Sequence, residues 1–193
     1  MSAAALNFTT VVPIATDDAA RRTPGRPLDD GLFEAFYRAT AAKLWAYLHR
    51  LTGDAAATDD LLQKSYIRFL RTSAVFESDE HMRRYLFRVA TNVAFDHLRE
   101  SSRRREVRLG DDGAAHDVFP DGDLRRDLMR AFGELKPRDR ALLWLAHVEG
   151  STHEEIAAAL GVGPKSVRVL LFRARKKLES LLKGRGLAPE AER

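Results

Sequence analysis

The residues best suited to bind another molecule lie on one amphipathic stretch, "RRYLFRVATNVAFDHLRESSRRRE", residues 83–106. A buried stripe is predicted by four apolar residues at helical spacing: Met82, Leu86, Val89 and Val93. An offset stripe sets an amide and an aromatic ring among guanidinium groups: Arg84, Arg88, Asn92, Phe95 and Arg99. Amides can hydrogen-bond base edges, and aromatic rings can stack on unpaired bases. The offset stripe therefore suits the binding of a nucleic acid strand. The alternative is that the stripe is a solvated face and that Asn92 ties helices together.

Positive charge accumulates where this helical segment ends. Residues 99–108 contain five arginines: Arg99, Arg103, Arg104, Arg105 and Arg108. Guanidinium groups at this density are suited to phosphates, whose contacts supply most of the affinity for a nucleic acid. We therefore expect the end of the helix to hold the backbone of the strand.

A second basic segment has the pattern of a helix-turn-helix. The stretch "STHEEIAAALGVGPKSVRVLLFRARKKLESLL", residues 151–182, predicts a short helix, a glycine turn and a longer helix. Thr152 with Glu155 suits a capping box before the short helix, and so does Ser151 with Glu154. Pro164 is suited to the first position of the longer helix.

The longer helix predicts one buried and one basic side. The predicted core side consists of Val167, Leu171, Ala174, Leu178 and Leu181. The opposite side consists of Lys165, Val169, Phe172 and Lys176, with Arg168 beside them. Residues 164–185 contain eight Lys or Arg and one Glu, a net charge of +7. This imbalance favours a nucleic-acid face over a solvated surface, which would mix both signs.

The rest of the chain also follows helical spacing, and no segment alternates with a period of two. The stretch "TSAVFESDEH", residues 72–81, predicts a loop, and the acidic, Gly-rich residues 109–122 predict a linker. The predicted fold class is all-α, with two small helical domains joined by a flexible linker, the C-terminal one a helix-turn-helix. The predicted boundaries are a flexible extension at 1–28, a first domain at 29–108, the acidic linker at 109–122, a second domain at 123–185 and a tail at 186–193.

Composition narrows the classes of function. Of 193 residues, 45% are hydrophobic and 31% charged, with a net charge of +4, so a packed core is expected. The chain has no cysteine, and its six His residues form no metal-binding array, so we expect no enzyme, cofactor or metal. No apolar run approaches the roughly 20 residues of a membrane span, and the first residues lack the pattern of a signal peptide. We therefore expect a cytoplasmic protein without membrane insertion.

Three stretches, in order, resemble the extracytoplasmic-function (ECF) sigma factors of bacterial RNA polymerase: "DDLLQKSYIRFLR", "YLFRVATNVAFDHLRESSRRR" and "LKPRDRALLWLAHVEGSTHEEIAAALGVGPKSVRVLLFRARKKL". The resemblance covers residues from about 30 to 182. It implies a promoter-specificity subunit that binds core RNA polymerase, recognises and melts promoters, and directs transcription initiation. The implied partners are core polymerase, promoter DNA as duplex and as melted non-template strand, and the anti-sigma factor that many members of the family have.

The resemblance also assigns roles to residues. Core-polymerase binding falls on Asp59, Asp60, Leu61, Gln63 and Lys64. Binding of the minus-ten element falls on Arg84, Arg88, Asn92, Phe95, Arg99, Arg103, Arg104 and Arg105, with the loop at 72–81 where the family forms a base pocket. Binding of the minus-thirty-five element falls on Lys165, Ser166, Arg168, Val169, Phe172, Arg173, Arg175 and Lys176.

The sequence departs from the family pattern at three places. Lys64 stands where an acidic residue is usual, and Tyr85 stands in place of a Trp. Val169 and Leu170 replace a polar pair in the recognition helix, so the promoter sequence does not follow from the resemblance.

Two other interpretations fit the same fold. A stand-alone helix-turn-helix repressor would bind duplex DNA specifically without polymerase, whereas a sigma factor alone binds promoters poorly. An adaptor or anti-sigma protein would bind its partner without opening a promoter.

Overall fold

A computed structural model of the chain describes residues 30–72, 74, 76–107 and 123–187. All regular structure in these residues is helical: α1 (Asp30–Thr52), α2 (Ala55–Leu70), α3 (Asp79–Val107), α4 (Asp123–Gly133), α5 (Pro137–His147), α6 (His153–Leu160) and α7 (Pro164–Lys183). The predicted all-α class with a C-terminal helix-turn-helix is therefore confirmed. The predicted extension at 1–28, the linker at 109–122 and residues 188–193 of the tail lie outside the described residues.

Helices α1 to α3, which we call the N-terminal unit, pack around an apolar centre. The largest fully buried side chains there are Leu44, Tyr47, Leu48, Leu51, Leu61, Phe69, Leu86 and Phe87. Two buried hydroxyl pairs cross the unit, one between Thr40 and Tyr66 and one between Tyr47 and Thr91, each 2.7 Å long. The apolar contacts hold the three helices together, and the hydroxyl pairs fix their register because a buried hydroxyl must keep its partner.

Local signals determine where these helices begin. Gly53, with φ of 70°, ends α1, and Asp54 caps α2 by accepting a hydrogen bond from the Ala57 backbone N–H at 3.2 Å. The predicted loop at 72–81 was too long, because α3 already begins at Asp79. The Ser78 hydroxyl accepts the His81 backbone N–H at 3.1 Å, and acidic residues in the first turn suit the positive end of the helix.

Helices α4 to α7 form the C-terminal unit, whose buried residues include Leu142, Leu145, Ile156, Val167 and Leu171. These side chains continue the apolar cluster of the N-terminal unit. The predicted capping box forms between Thr152 and Glu155. The Thr152 backbone N–H donates to the Glu155 carboxylate at 2.7 Å, and the Glu155 N–H donates to the Thr152 hydroxyl at 3.2 Å. Gly161 then turns the chain into α7 with φ of 62°, a conformation that favours glycine. This motif sets the direction of the recognition helix.

The two units are in contact with each other. Helix α3 packs against α6, and α1 packs against α5. The Trp144 ring lies 5.7 Å from the ring of Tyr47, and the Arg50 guanidinium lies 5.6 Å from the Trp144 centroid. The periodicity of the sequence did not predict this contact, because an apolar stripe does not show which distant helix it packs against.

Candidate nucleic-acid interface

Most of the offset stripe of α3 reaches the surface. Arg88, Asn92 and Phe95 are half-buried, and Arg99, Arg103 and Arg104 are exposed; Arg105 also lies in α3. The Arg88 guanidinium lies 4.6 Å from the centroid of the Tyr85 ring, a cation–π contact that restricts its direction. The stripe therefore presents one oriented guanidinium, one amide and one aromatic ring in sequence along the helix.

Asn92 does not tie helices together. Among the described residues its side chain has no hydrogen-bonded partner in the structure, although it is half-buried. The neighbouring residue Thr91 does make the interhelical contact, through its hydroxyl. The structure therefore does not support the alternative in which Asn92 ties helices together. Its amide is available to a ligand.

The arginines beyond Asn92 have carboxylate neighbours on the surface. Asp96 accepts a hydrogen bond from Arg99 and lies 3.6 Å from Arg68, while Glu100 pairs with Arg104. Exposed ion pairs of this kind contribute about 0–1 kcal/mol each. A phosphate could therefore replace these carboxylates at little cost, and the pairs keep the arginines extended over the helix.

Arg84 lies in a different environment from the rest of the stripe. Its guanidinium contacts Glu80 in the preceding turn and lies 3.4 Å from the Glu155 carboxylate of α6. The side chain is only 23% exposed. The hydrogen bond to Glu80 raises the pKa of Arg84 and lowers the pKa of Glu80. The structure thus separates Arg84 from the exposed arginines and directs it towards the C-terminal unit.

An aromatic cluster supports the loop that leads into α3. The Phe76 ring lies 5.5 Å from that of Phe69 and 5.3 Å from that of Tyr85. The Tyr85 hydroxyl also lies 2.9 Å from the Thr72 hydroxyl. These contacts anchor both ends of the segment for which the family resemblance implied a base pocket; Ser73 and Val75 lie outside the described residues.

The predicted polymerase-binding residues lie mostly on one exposed side of α2. Asp59, Asp60, Gln63 and Lys64 are exposed, and the Lys64 ammonium lies 4.0 Å from the Asp60 carboxylate. The Trp45 indole N–H donates to Asp59 at 2.7 Å. Leu61 is only 2% exposed, so it holds α2 in the core and does not reach the surface.

Two apolar residues extend this side of α2. Ile67 is 41% exposed and Leu70 is 51% exposed. Leu70 follows the helical spacing of α2, but the helix ends there and the side chain is exposed. Ile67 lies one turn and Leu70 two turns beyond Gln63, so both belong to the same surface. A partner that buried them would gain about 25 cal/mol per Å² of apolar area. Sequence reasoning missed them because apolar residues in a helical pattern are normally attributed to the core.

Helix α7 presents the predicted basic side to solvent. Val167, Leu171 and Ala174 are buried, as expected for the core side. All eight predicted DNA-binding residues are exposed: Lys165, Ser166, Arg168, Val169, Phe172, Arg173, Arg175 and Lys176. Val169 and Phe172 are 50% and 58% exposed, so this side combines positive charge with uncovered apolar area.

The far end of α7 carries its one acidic residue. Glu179 lies 2.9 Å from the Lys176 ammonium and 2.8 Å from that of Lys183. Hydrogen bonds from the two lysines lower the pKa of Glu179 to about 2, so it is ionised at neutral pH. Glu179 therefore neutralises part of the positive charge of Lys176 and Lys183, at the C-terminal end of α7.

Two other kinds of site have no counterpart in the described part of the chain. No three His, Cys, Asp or Glu side chains there are placed to hold a metal ion. None of the described helices combines the length and apolar character that a membrane crossing requires.

Comparisons with known proteins agree with this arrangement. The family model for sigma-70 region 2 matches residues 36–104, and the model for sigma-70 region 4 matches residues 125–178. The RNA polymerase sigma factor CarQ of Myxococcus xanthus is 32% identical over 156 residues, which cover 78% of this chain and 88% of CarQ. The ECF RNA polymerase sigma factor SigL of Mycobacterium tuberculosis is 28% identical over 174 residues, 87% of this chain and 98% of SigL.

A solved structure has a similar fold. The sigma factor RpoE, in its complex with the anti-sigma factor NepR from Bartonella quintana, superposes with a TM-score of 0.63 at 22% identity. The match covers 78% of this chain and 96% of RpoE.

The fold and the two basic surfaces define a sigma factor built from regions 2 and 4. The protein is a promoter-specificity subunit rather than an enzyme; it binds core RNA polymerase and promoter DNA and directs transcription initiation. Within that class, the chain belongs to the ECF group of RNA polymerase sigma factors.

Proposed function

We propose that the two units divide promoter recognition between them, with the boundaries 29–108 and 123–185. The N-terminal unit binds core polymerase through the exposed side of α2 and captures the melted minus-ten strand along α3. The C-terminal unit inserts α7 into the major groove of the minus-thirty-five element. The linker at 109–122 joins the two units along the polymerase, and the complete protein acts in the cytoplasm.

The observation that carries this proposal is the contrast between two basic helices. The α3 stripe contains an amide and an aromatic ring suited to unpaired bases, next to a loop anchored by Phe76. The α7 side has the geometry of a recognition helix, whose first turns reach base edges in duplex DNA. One surface therefore suits single-stranded DNA and the other suits duplex DNA, as promoter opening requires.

Residues in the first turns of α7 have separate roles in the proposal. Lys165 and Arg168 donate to guanine O6 and N7. Val169 and Phe172 bury their apolar area against thymine methyl groups. Arg173, Arg175 and Lys176 lie further along and contact phosphates, which adds affinity without sequence preference.

The same apolar area suits a second, inhibitory partner. The structural relative RpoE is described in complex with an anti-sigma factor. We infer that this protein also has an anti-sigma partner, which covers Val169 and Phe172 when transcription is off. Competition between such a partner and promoter DNA would be seen as loss of DNA binding by the holoenzyme.

Run-off transcription from genomic fragments tests the proposed function directly. Core polymerase with this protein should initiate at a distinct set of promoters, and core polymerase alone should not. A gel-shift of the same fragments should show specific binding only when core polymerase is present. Specific binding of duplex DNA by the free protein, with no effect on transcription by core polymerase, would instead indicate a stand-alone repressor.

A further inference from the structure

Helix α2 reaches the basic stripe of α3 through one arginine. Arg68 lies in the last turn of α2, and its guanidinium lies 3.6 Å from the carboxylate of Asp96 on α3. Asp96 follows Asn92 by one turn and Arg88 by two, so these three residues share one side of α3. Arg68 is therefore a cation beside the proposed strand-binding surface, although it belongs to another helix and none of the roles implied by the family resemblance falls on it.

The Asp96 carboxylate joins arginines of two helices. Its Oδ2 faces Arg68, and its Oδ1 accepts a hydrogen bond from Arg99. The three side chains are 50–56% exposed. Two guanidiniums against one carboxylate leave an excess of one positive charge, and each guanidinium has five N–H donors, of which a carboxylate occupies at most two. Arg68 and Arg99 therefore keep donors that Asp96 does not use, at a place open to solvent.

This arrangement is suited to the phosphates of a nucleic acid strand. A guanidinium fork matches phosphate oxygens in the same way as it matches a carboxylate. Exposed ion pairs contribute little to stability, so the main effect of Asp96 is to restrict the directions of two long side chains. Arginines that are already restricted lose less rotamer freedom when they bind a ligand. The amide of Asn92, suited to a base edge, lies one turn away on α3.

The direction of Arg68 favours DNA over polymerase as its partner. The proposed polymerase-binding side of α2 includes Asp60, Gln63 and the exposed Ile67. Arg68 follows Ile67 by one residue, which turns it by about 100° around the helix. Its guanidinium then meets α3 at Asp96, whereas the docking residues point elsewhere.

We propose that Arg68 is a further DNA-binding residue, which contacts the phosphate backbone of the melted minus-ten strand together with Arg99, and that Asp96 is the positioning residue for both guanidiniums. This proposal rests on the proposed minus-ten role of α3. The strand is then held between α2 and α3, and α2 contacts polymerase with one side and DNA with another. A backbone contact of this kind adds affinity without sequence preference.

Strand binding by the holoenzyme tests the role of Arg68. The probe is a labelled single-stranded oligonucleotide with a minus-ten non-template sequence mapped by run-off transcription, titrated with holoenzyme in excess core polymerase and followed by fluorescence anisotropy. Arg68→Ala should weaken binding by about two- to fivefold, as expected for an exposed charge pair. It should also lower the slope of log affinity against log salt by about 0.7, the value for one phosphate of a single strand. Arg68→Lys keeps the charge and should keep the slope.

Arg38→Ala is the matched control. Arg38 is an exposed arginine of α1 in an ion pair with Glu34, so the change in net charge is the same and one surface pair is again lost. This variant should keep the affinity and the salt slope of the wild type, and equal helical circular dichroism establishes that both variants are folded. Unchanged strand binding by Arg68→Ala, or an equal loss in both variants, overturns the proposal.

A titration without DNA separates the strand from polymerase as the partner of Arg68. Labelled Arg68→Ala protein should bind core polymerase as tightly as the wild type does. A decrease in affinity for core as large as the decrease in affinity for the strand would place Arg68 in the polymerase interface and overturn its DNA-binding role.

A double-mutant cycle tests the positioning role of Asp96. Asp96→Asn removes a negative charge, so it should tighten strand binding if Asp96 merely neutralises its neighbours. If Asp96 positions Arg68, the fold-loss caused by Arg68→Ala should be smaller in the Asp96→Asn background than in the wild type. Equal losses in the two backgrounds overturn the positioning role.

Two further variants distinguish failure of this proposal from failure of the proposed function. Weaker strand binding in Asn92→Ala and Arg99→Ala, with no change in Arg68→Ala, would overturn the role of Arg68 alone. Strand binding that none of the three changes alters would overturn the minus-ten role of α3 and the role of Arg68 with it.

Discussion

The hydroxyl oxygens of Tyr47 and Thr91 lie 2.7 Å apart in the centre of the N-terminal unit, where neither side chain is exposed. The Thr91 hydroxyl also lies 2.7 Å from the carbonyl oxygen of Phe87 and donates its hydrogen there. Tyr47 must therefore be the donor to Thr91. Burial raises the pKa of Tyr47, so the phenol keeps the proton that this role requires. The pair fixes the register of α1 against α3 at the residue next to Asn92.

Thr91→Val should destabilise the protein by about 1–3 kcal/mol, because it leaves the Tyr47 hydroxyl buried without an acceptor. The double variant with Tyr47→Phe removes both partners and should cost less than the sum of the two single changes. Denaturant unfolding followed by circular dichroism gives the free energies. Strict additivity would mean that the two hydroxyls do not interact.

Stability should respond to pH through Glu149. Burial raises the pKa of Glu149 above its ordinary 4.5, and the charges of Arg83 on α3 and Lys43 on α1, with Trp144 on α5, offset this only in part. The folded protein thus binds this proton more tightly than the unfolded chain does. The contribution of Glu149 to stability is then fully present below about pH 4.5 and is lost as the pH rises through the raised value.

Glu149→Gln should remove that pH-dependent component and should match or exceed the wild type in stability at neutral pH. Thermal unfolding of both proteins from about pH 4 to pH 8 provides the comparison. A clear loss of stability in Glu149→Gln at neutral pH would show instead that the ion pair with Arg83 outweighs the desolvation of the carboxylate.

Asp60→Arg should weaken assembly with core polymerase by about tenfold or more, because a charge of the wrong sign enters the proposed docking side of α2. Glu34→Arg on α1 is a control with the same change in charge at another exposed site. Lys64→Glu should leave assembly unchanged or strengthen it. Affinity is measured by titrating labelled protein with core polymerase; equal affinity of Asp60→Arg and wild type would exclude Asp60 from the interface.

Asn92→Ala should slow open-complex formation on duplex promoters more than on templates that are already melted. The amide projects from α3 without a partner among the described residues, so its removal should cost no more than about 0.5 kcal/mol of stability. Ser102→Ala, an exposed change further along α3, serves as the control. Permanganate footprinting reports the melted bases, and equal losses on both templates would contradict a role in strand separation.

Arg168→Ala should cost about 1–3 kcal/mol of binding free energy and relax preference at one base pair. Arg175→Ala should weaken all sequences alike, as expected of a phosphate contact; its Nε already donates to the Leu171 carbonyl oxygen at 3.4 Å, which limits its reach. Transcription from a randomised upstream element, with sequencing of the products, separates the two patterns. A uniform decrease in Arg168→Ala would exclude base reading by this residue.

Much of the fold could be predicted because local chemistry decides it. The capping pair Thr152 and Glu155, the turn at Gly161 and the apolar stripe through Val167 each act within a few residues, and each was found where it was predicted. The start of α3 was missed because the Ser78 cap had been counted as loop.

The environment of Arg84 could not be predicted in this way. Periodicity placed it correctly on α3, but its contact with Glu155 joins residues 71 positions apart. Such a pairing depends on how helices far apart in the sequence meet, which no local pattern encodes. A helical pattern likewise does not show that an apolar residue such as Leu70 lies at the surface.

The position of Trp144 gives the molecule an optical signal of its own. The chain has two tryptophans. Trp45 lies within the N-terminal unit, where its indole N–H donates a hydrogen bond to Asp59, whereas Trp144 lies where the two units meet. Parting of the units would bring water to the Trp144 indole and move its emission to longer wavelength, while Trp45 would keep its surroundings. With Trp45→Phe as background, stopped-flow fluorescence could therefore time the separation of the units as core polymerase binds, with no label attached.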